Sequence, residues 1–256
     1  MTPEAGASAT PGWRAFSIYL LLASVFVGLA LAWTRHAAGG PGAPLDDTCI
    51  HLQYARSIAE GHAFRYAAPD EPRSSGATSL LYVLFLAIPS ALGLRGFGAV
   101  TFAQAIGAAG LALTAIGMHR FGRALHDVRT GHIAGAAALA SGGLLWMACS
   151  GMETIFAIAG AVWIFALVTE AARGRETPRG THALAALGAC APFVRPELAA
   201  LSLLAAVFIV WRSRGARRLL ALAPLAAIVA VPLAWLALTG GVRTSGAIVK
   251  WLLHRP

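Results

Sequence analysis

Four short polar segments stand out in an otherwise apolar chain, and each carries residue types able to do chemistry. Asp46-Asp47 is an adjacent carboxylate pair. Crowding two carboxylates raises the local negative charge, and one of them can act as general base on a hydroxyl or help hold a divalent cation. A single Asp would suffice to cap a following helix, so the capping reading stands beside the catalytic one. His51 follows Asp47 by one helical turn, but two ligands are too few to make a metal site. Ser150-Gly151-Met152-Glu153-Thr154 lies between two apolar runs; its glycine suits a turn, and its glutamate is either solvated or functional. Arg195-Pro196-Glu197 interrupts another pair of apolar runs. An ion pair with a helix breaker at membrane depth is costly and is tolerated mainly where it lines a polar cavity. It reads as a self-neutralising kink, or as a cationic site for a phosphate with Glu197 orienting Arg195. Lys250, in the TSGAIVK segment, and the arginines Arg56, Arg65 and Arg73 are further cations able to meet a lipid phosphate or simply to be solvated.

The elements that must position these residues are membrane helices. The chain has 256 residues, is 57% hydrophobic and only 12% charged, and has a mean hydropathy of +0.67. Soluble domains carry about twice that charge, and disordered chains are far less apolar. The net charge of +9 is explained by basic residues flanking membrane spans, and no basic run interleaved with aromatics points to nucleic acid. Cys49, Cys149 and Cys190 are widely spaced, so neither a disulfide framework nor a zinc site is expected; they read as packing residues. There is no Walker loop and no GxGxxG motif. The small-residue stretch 134–143 reads as close helix packing.

Seven spans are expected: 13–33, 97–118, 133–148, 155–169, 183–194, 198–211 and 219–238. The first is longer than the core of a signal peptide and reads as an anchor. A polar region follows, with a short amphipathic helix carrying Ile50, Tyr54 and Ile58 at four-residue spacing and stopping near Gly61. The run 80–94 is short and holds Pro89. Three basic clusters, Arg120/Arg123/Arg129, Arg173/Arg175/Arg179 and Arg212/Arg214/Arg217/Arg218, belong on the cytoplasmic side by the positive-inside rule. That assignment requires an odd number of crossings between the polar region and Arg120. The run 97–118 supplies one, so 80–94 is read as interfacial or re-entrant. The outer side then collects Asp46, Asp47, Glu60, Asp70, Glu71, Glu153 and Glu197, seven of the eleven acidic residues.

With these segments in order, the sequence resembles the GT-C membrane glycosyltransferases, most closely their bacterial arabinofuranosyltransferase-like branch. LDDTCIHLQYARSIAEGHAFRY followed by SSGATSLLY resembles their first outer loop. CSGMETIFA, FVRPELAAL and TSGAIVKWL resemble three later segments, so the likeness runs from about Leu45 to Leu252. The resemblance implies an all-α polytopic bundle, one module over 1–256 with a first outer loop over 35–79. It implies transfer of a sugar from a polyprenyl-phosphate donor to an envelope glycan or lipid acceptor, on the outer face of the cytoplasmic membrane. Asp46 or Asp47 would be the base, the other binding acceptor or a divalent cation; no cofactor is otherwise expected. Arg195 and Lys250 would hold the donor phosphate. His51, Tyr54, Arg56, Glu153 and Glu197 would bind substrate or organise the loop. Such proteins are commonly longer, which leaves room for a further C-terminal region, and Thr48-Cys49 stands where they usually have an aromatic. A transporter or flippase of an anionic or lipid-linked substrate, and an inactive membrane protein, are the rival readings.

Overall fold

The computed structural model describes residues 13–40 and 42–241. Among them the chain is helical throughout, with no strand. The helices are α1 (Trp13–Ala38), α2 (Asp46–Ala59), α3 (Leu80–Ala91), α4 (Gly96–Leu125), α5 (Val128–Ala140) and α6 (Gly142–Ser150). After them come α7 (Thr154–Ala172), α8 (Pro178–Val194), α9 (Ala199–Arg212) and α10 (Leu222–Thr239). Boundaries follow local chemistry. Ser79, Asp127, Ser141 and Thr177 each accept a backbone N–H of the helix they open, supplying a partner that the first turn lacks. Gly151 ends α6 in the left-handed region (φ 74°), which a residue without Cβ enters at no steric cost.

Four segments are long and apolar enough to cross a membrane: Ala15–Ala38, Gly96–Leu125, Thr154–Ala172 and Gly215–Thr239. The expected continuous span 133–148 is instead two helices, α5 and α6, bent by 55° at Ser141, and counts as a fifth span if the pair crosses as one. Helices α8 and α9 have 17 and 14 residues. Both are shorter than the roughly 20 residues typical of a span, so length and composition alone give four to five spans and leave the expected seven unconfirmed.

Contacts fix how the helices run. Tyr19 meets His119 while Arg35 meets Gln104, so α1 and α4 are antiparallel. Gly110 touches Ile155, Gly117 touches Val162, and Arg120 pairs with Glu170, so α4 and α7 run parallel. The bent pair α5–α6 runs back along α4: Gly131 lies against His119, and Gly107 lies against the Ala148 backbone. Gly188 of α8 meets both Ala205 of α9 and Pro224 of α10. Small residues permit these approaches, as expected where lipid gives no hydrophobic drive between helices and packing must hold them.

The bundle therefore has two chemically distinct ends. At one, the Arg120 guanidinium makes a two-pronged bond to Glu170 (2.5 and 2.7 Å), Arg175 donates to the Arg123 carbonyl, and Arg212 lies with Glu170, Arg175 and Glu176 around one small cleft. All three basic clusters gather there. At the other end lie the C-termini of α1, α6, α8 and α10 and the N-termini of α4 and α7. The polar region 42–79 covers this second end. Its helix α2 and the short α3 pack together, with Tyr54, Phe64, Leu86 and Trp235 in one apolar cluster. Phe64 sits at φ 63°, a conformation costing roughly 1–3 kcal/mol in a residue with a side chain. Its burial and its edge-on contact with Trp235 (5.7 Å, 83°) offset that cost. Both ends of α3 stay at this end: Ser79 donates to the Phe193 carbonyl, and Leu94 leads into α4.

Candidate functional site

The polar segments meet at the end that α2 covers. Glu153, the residue before α7, is completely buried, and so is not the solvated turn residue its neighbourhood in sequence allows. Three elements reach it. His51 of α2 places Nε2 3.2 Å from Glu153 Oε2. Thr78, just before α3, donates to Oε1 at 3.3 Å. Arg195, at the α8 C-terminus, holds Nε 3.9 Å from Oε1 and 3.5 Å from Glu197 Oε2. A buried carboxylate unpartnered would cost several kcal/mol, so this convergence is what lets Glu153 stay inside.

Geometry constrains the histidine. Its Nδ1 lies 2.9 Å from the Asp47 carbonyl, which can only accept, so Nδ1 carries a proton. The other nitrogen faces a carboxylate. The two atoms are within ion-pair distance but off the line that a hydrogen bond requires, so their attraction is electrostatic.

The surroundings are held by ties between segments distant in sequence. Thr48 donates to the Ser150 carbonyl (2.6 Å), and Tyr82 donates to the Gly151 carbonyl (2.7 Å). These two bonds clamp α2 and α3 onto the turn that carries Glu153. Tyr82 also packs edge-on against His51 (5.7 Å, 69°), and burial with the nearby Glu153 charge holds its phenol well above the ordinary tyrosine range. Arg195 adds a bond to Thr154 (3.4 Å), yet its side chain remains about one third exposed. The guanidinium is thus oriented by Glu153, Thr154 and Glu197 and keeps an open side for an anion.

The residues singled out in the sequence divide into groups. His51, Glu153, Arg195 and Glu197 come together. Asp46 and Asp47 lie in the first turn of α2, exposed at the rim; Asp46 takes only the Asp47 N–H, and neither side chain caps the helix. Tyr54 organises the loop: its hydroxyl meets Ser74 and accepts the Gly76 N–H, and a Cβ at Gly76 would strike it. Arg56 does not join the cluster; it pairs with Glu60 (2.9 Å), as Arg95 does, and the Arg56 hydrogen bond holds the Glu60 carboxyl below its usual range. Lys250 and the TSGAIVK segment lie outside the described residues. Cys149 is buried as expected, but Cys49 and Cys190 are exposed. Among the described residues no three His, Cys, Asp or Glu side chains are grouped to hold a metal ion. Thr78 as a partner of Glu153, and Thr48 and Tyr82 as the bonds that clamp its turn, were not legible, because a single hydroxyl has no periodicity to mark it. No family model, curated protein or solved structure matches the chain.

Proposed function

We propose that this protein is a membrane glycosyltransferase of GT-C type, moving a sugar from a polyprenyl-phosphate donor to a glycan or lipid acceptor outside the cytoplasmic membrane. One observation carries the reading. Three segments far apart in sequence bring His51, Glu153 and the half-open Arg195 to a single end of the bundle, with Asp46 and Asp47 at its rim. In the reaction the bond from the sugar's anomeric carbon to the phosphate oxygen breaks, and the acceptor oxygen bonds to that carbon. The leaving phosphate gathers charge, which Arg195 meets. The acceptor hydroxyl loses its proton to Asp46 or Asp47, which are accessible where Glu153 is not. Glu153 and His51 are positioning residues in this scheme.

Two further features support it. The three basic clusters lie at the end opposite Glu153, Asp46 and Asp47, so the positive-inside rule turns the candidate site outward. Counting α5–α6 as one broken crossing, and the shorter α8 and α9 as crossings, gives seven with α3 at the surface. A transporter would instead need these charges midway along its helices, reachable from both sides.

The test is transfer of radiolabelled sugar from a panel of polyprenyl-phosphate sugars in membranes containing the protein. Arg195→Gln is expected to lower transfer by about 10²-fold or more, the loss typical of one transition-state charge contact. Either Asp46→Asn or Asp47→Asn is expected to abolish it at equal protein level. Absence of transfer by the wild-type protein from every donor would sink the proposal.

A further inference from the structure

A second charged site lies on the other side of the α6 C-terminal turn. An open cleft of about 320 Å³ runs between α1, α4 and α6, lined by Ala30, Leu31, Arg35, Gln104, Leu145 and Trp146 among others. Its walls are apolar, and Arg35 is its charged group. The guanidinium reaches from α1 to α4, where Nη2 donates to Thr101 (3.0 Å) and to Gln104 (3.2 Å). Gln104 is itself fixed, donating to the Gly42 carbonyl (3.1 Å). Both partners of Arg35 are neutral. Arg35 Nε is buried with no hydrogen-bond partner, and the ion pairs among the described residues do not include Arg35.

That combination is electrically incomplete. The guanidinium is only partly withdrawn from water, but no carboxylate answers its charge, and an unmatched buried N–H costs more than a made one gains. An oxyanion on the open side of the guanidinium would supply the absent counter-charge. The walls add a second requirement, for an apolar body beside that anion. The neighbouring α1 surface is apolar and exposed at Leu22, Val25, Phe26, Leu29 and Trp33, and Trp146 at the cleft is half exposed. The cleft is therefore continuous with a lipid-facing surface and flanked by tryptophan, the residue that favours the headgroup level.

We propose that this cleft binds an anionic phospholipid of the surrounding bilayer, its phosphate on Arg35 and an acyl chain along Ala30, Leu31, Leu145 and Trp146. The site does not depend on the glycosyltransferase reading. Its occupant bridges α1 to the remainder of the bundle, where α1 is otherwise little buried. Because α6 leads from Cys149 at the cleft directly to Glu153, an occupied cleft also braces the turn that carries the candidate site.

The test is thermal unfolding of the full purified chain in detergent, titrated separately with dioleoylphosphatidylglycerol, with dioleoylglycerol and with inorganic phosphate. A ligand that binds only the folded state raises Tm with its concentration. Phosphatidylglycerol is expected to raise Tm, and the other two are not. Arg35→Gln is expected to weaken the effect about tenfold, the loss expected for one charged hydrogen bond. Arg214→Gln removes the same charge at the opposite end and is expected to leave it unchanged. Equal stabilisation by phosphate alone, by dioleoylglycerol, or of Arg35→Gln by phosphatidylglycerol would overturn the proposal. Should Arg35→Gln fail to fold, quenching of tryptophan fluorescence by brominated phosphatidylglycerol decides. It is expected to exceed quenching by brominated diacylglycerol in the wild type and to lose that excess in Trp146→Phe; an excess that persists in Trp146→Phe, or none in the wild type, overturns it.

Discussion

At the scale of single residues, the centre of this protein is a buried acid with partners drawn from three elements. Glu153 is closed off from bulk solvent, so each partner matters more than a surface contact would. His51 and Glu153 should be energetically coupled. In a double-mutant cycle of His51→Ala and Glu153→Ala, read from Tm and denaturant midpoints, the coupling is expected to be about 0.5–3 kcal/mol. A coupling of zero would mean the two merely lie near each other. A second residue-scale expectation concerns Asp127, which opens α5 at the basic end. The Thr130 N–H bound to its carboxylate holds its pKa below the usual value of 3.8. A carboxyl whose folded pKa is depressed stabilises the fold above its unfolded pKa and loses that contribution as pH falls through the folded value. Asp127→Ala should therefore lower Tm at neutral pH, and the deficit should narrow as pH drops below about 4. A deficit that does not change with pH would remove the electrostatic account.

At the scale of elements, packing depends on positions where no side chain fits. A Cβ added at Gly107 would collide with the Ala148 backbone, where α4 and α6 touch. Neither partner there is a flexible side-chain end, so relief requires moving a helix. Gly107→Ala is expected to destabilise by about 1–3 kcal/mol, the usual cost of overpacking. Gly160→Ala, where the space is open, is the matched control and should be close to neutral. If both variants unfold alike, the close approach of α4 and α6 is not what holds them. The same contact bears on the site, because α6 ends at Gly151 and delivers Glu153.

At the scale of the whole molecule, charge separates along the bundle. Asp70 belongs to the region covering the candidate site, and Arg214 to the opposite, basic end. Asp70→Cys and Arg214→Cys, each in a background with the three native cysteines replaced by Ser, should react with a membrane-impermeant maleimide from opposite faces of the membrane. The expected pattern is labelling of the Asp70 position in intact cells stripped of outer barriers, and of the Arg214 position only after permeabilisation. Labelling of both from one face would break the two-ended arrangement as a membrane topology.

Much of this was legible in the residues themselves. Low charge and long apolar runs dictate a helical bundle, because a backbone in lipid must satisfy its own hydrogen bonds. The clustering of arginines into three groups, combined with parity, placed both ends of the short Pro89 segment on one side, and α3 does begin and end at the same end of the bundle. The amphipathic spacing of Ile50, Tyr54 and Ile58 located α2. Other features were beyond sequence reading for a physical reason: they are properties of contacts between segments far apart in the chain. Nothing local distinguishes a glutamate in a solvated turn from one sealed under two other loops, so the burial of Glu153 was decided only by packing. The bend at Ser141 was hidden because an apolar run reads the same whether straight or broken. Arg35 drew no attention as a basic residue near the end of a span. Only the tertiary fold sets it against neutral partners in an apolar cleft and leaves its charge unanswered.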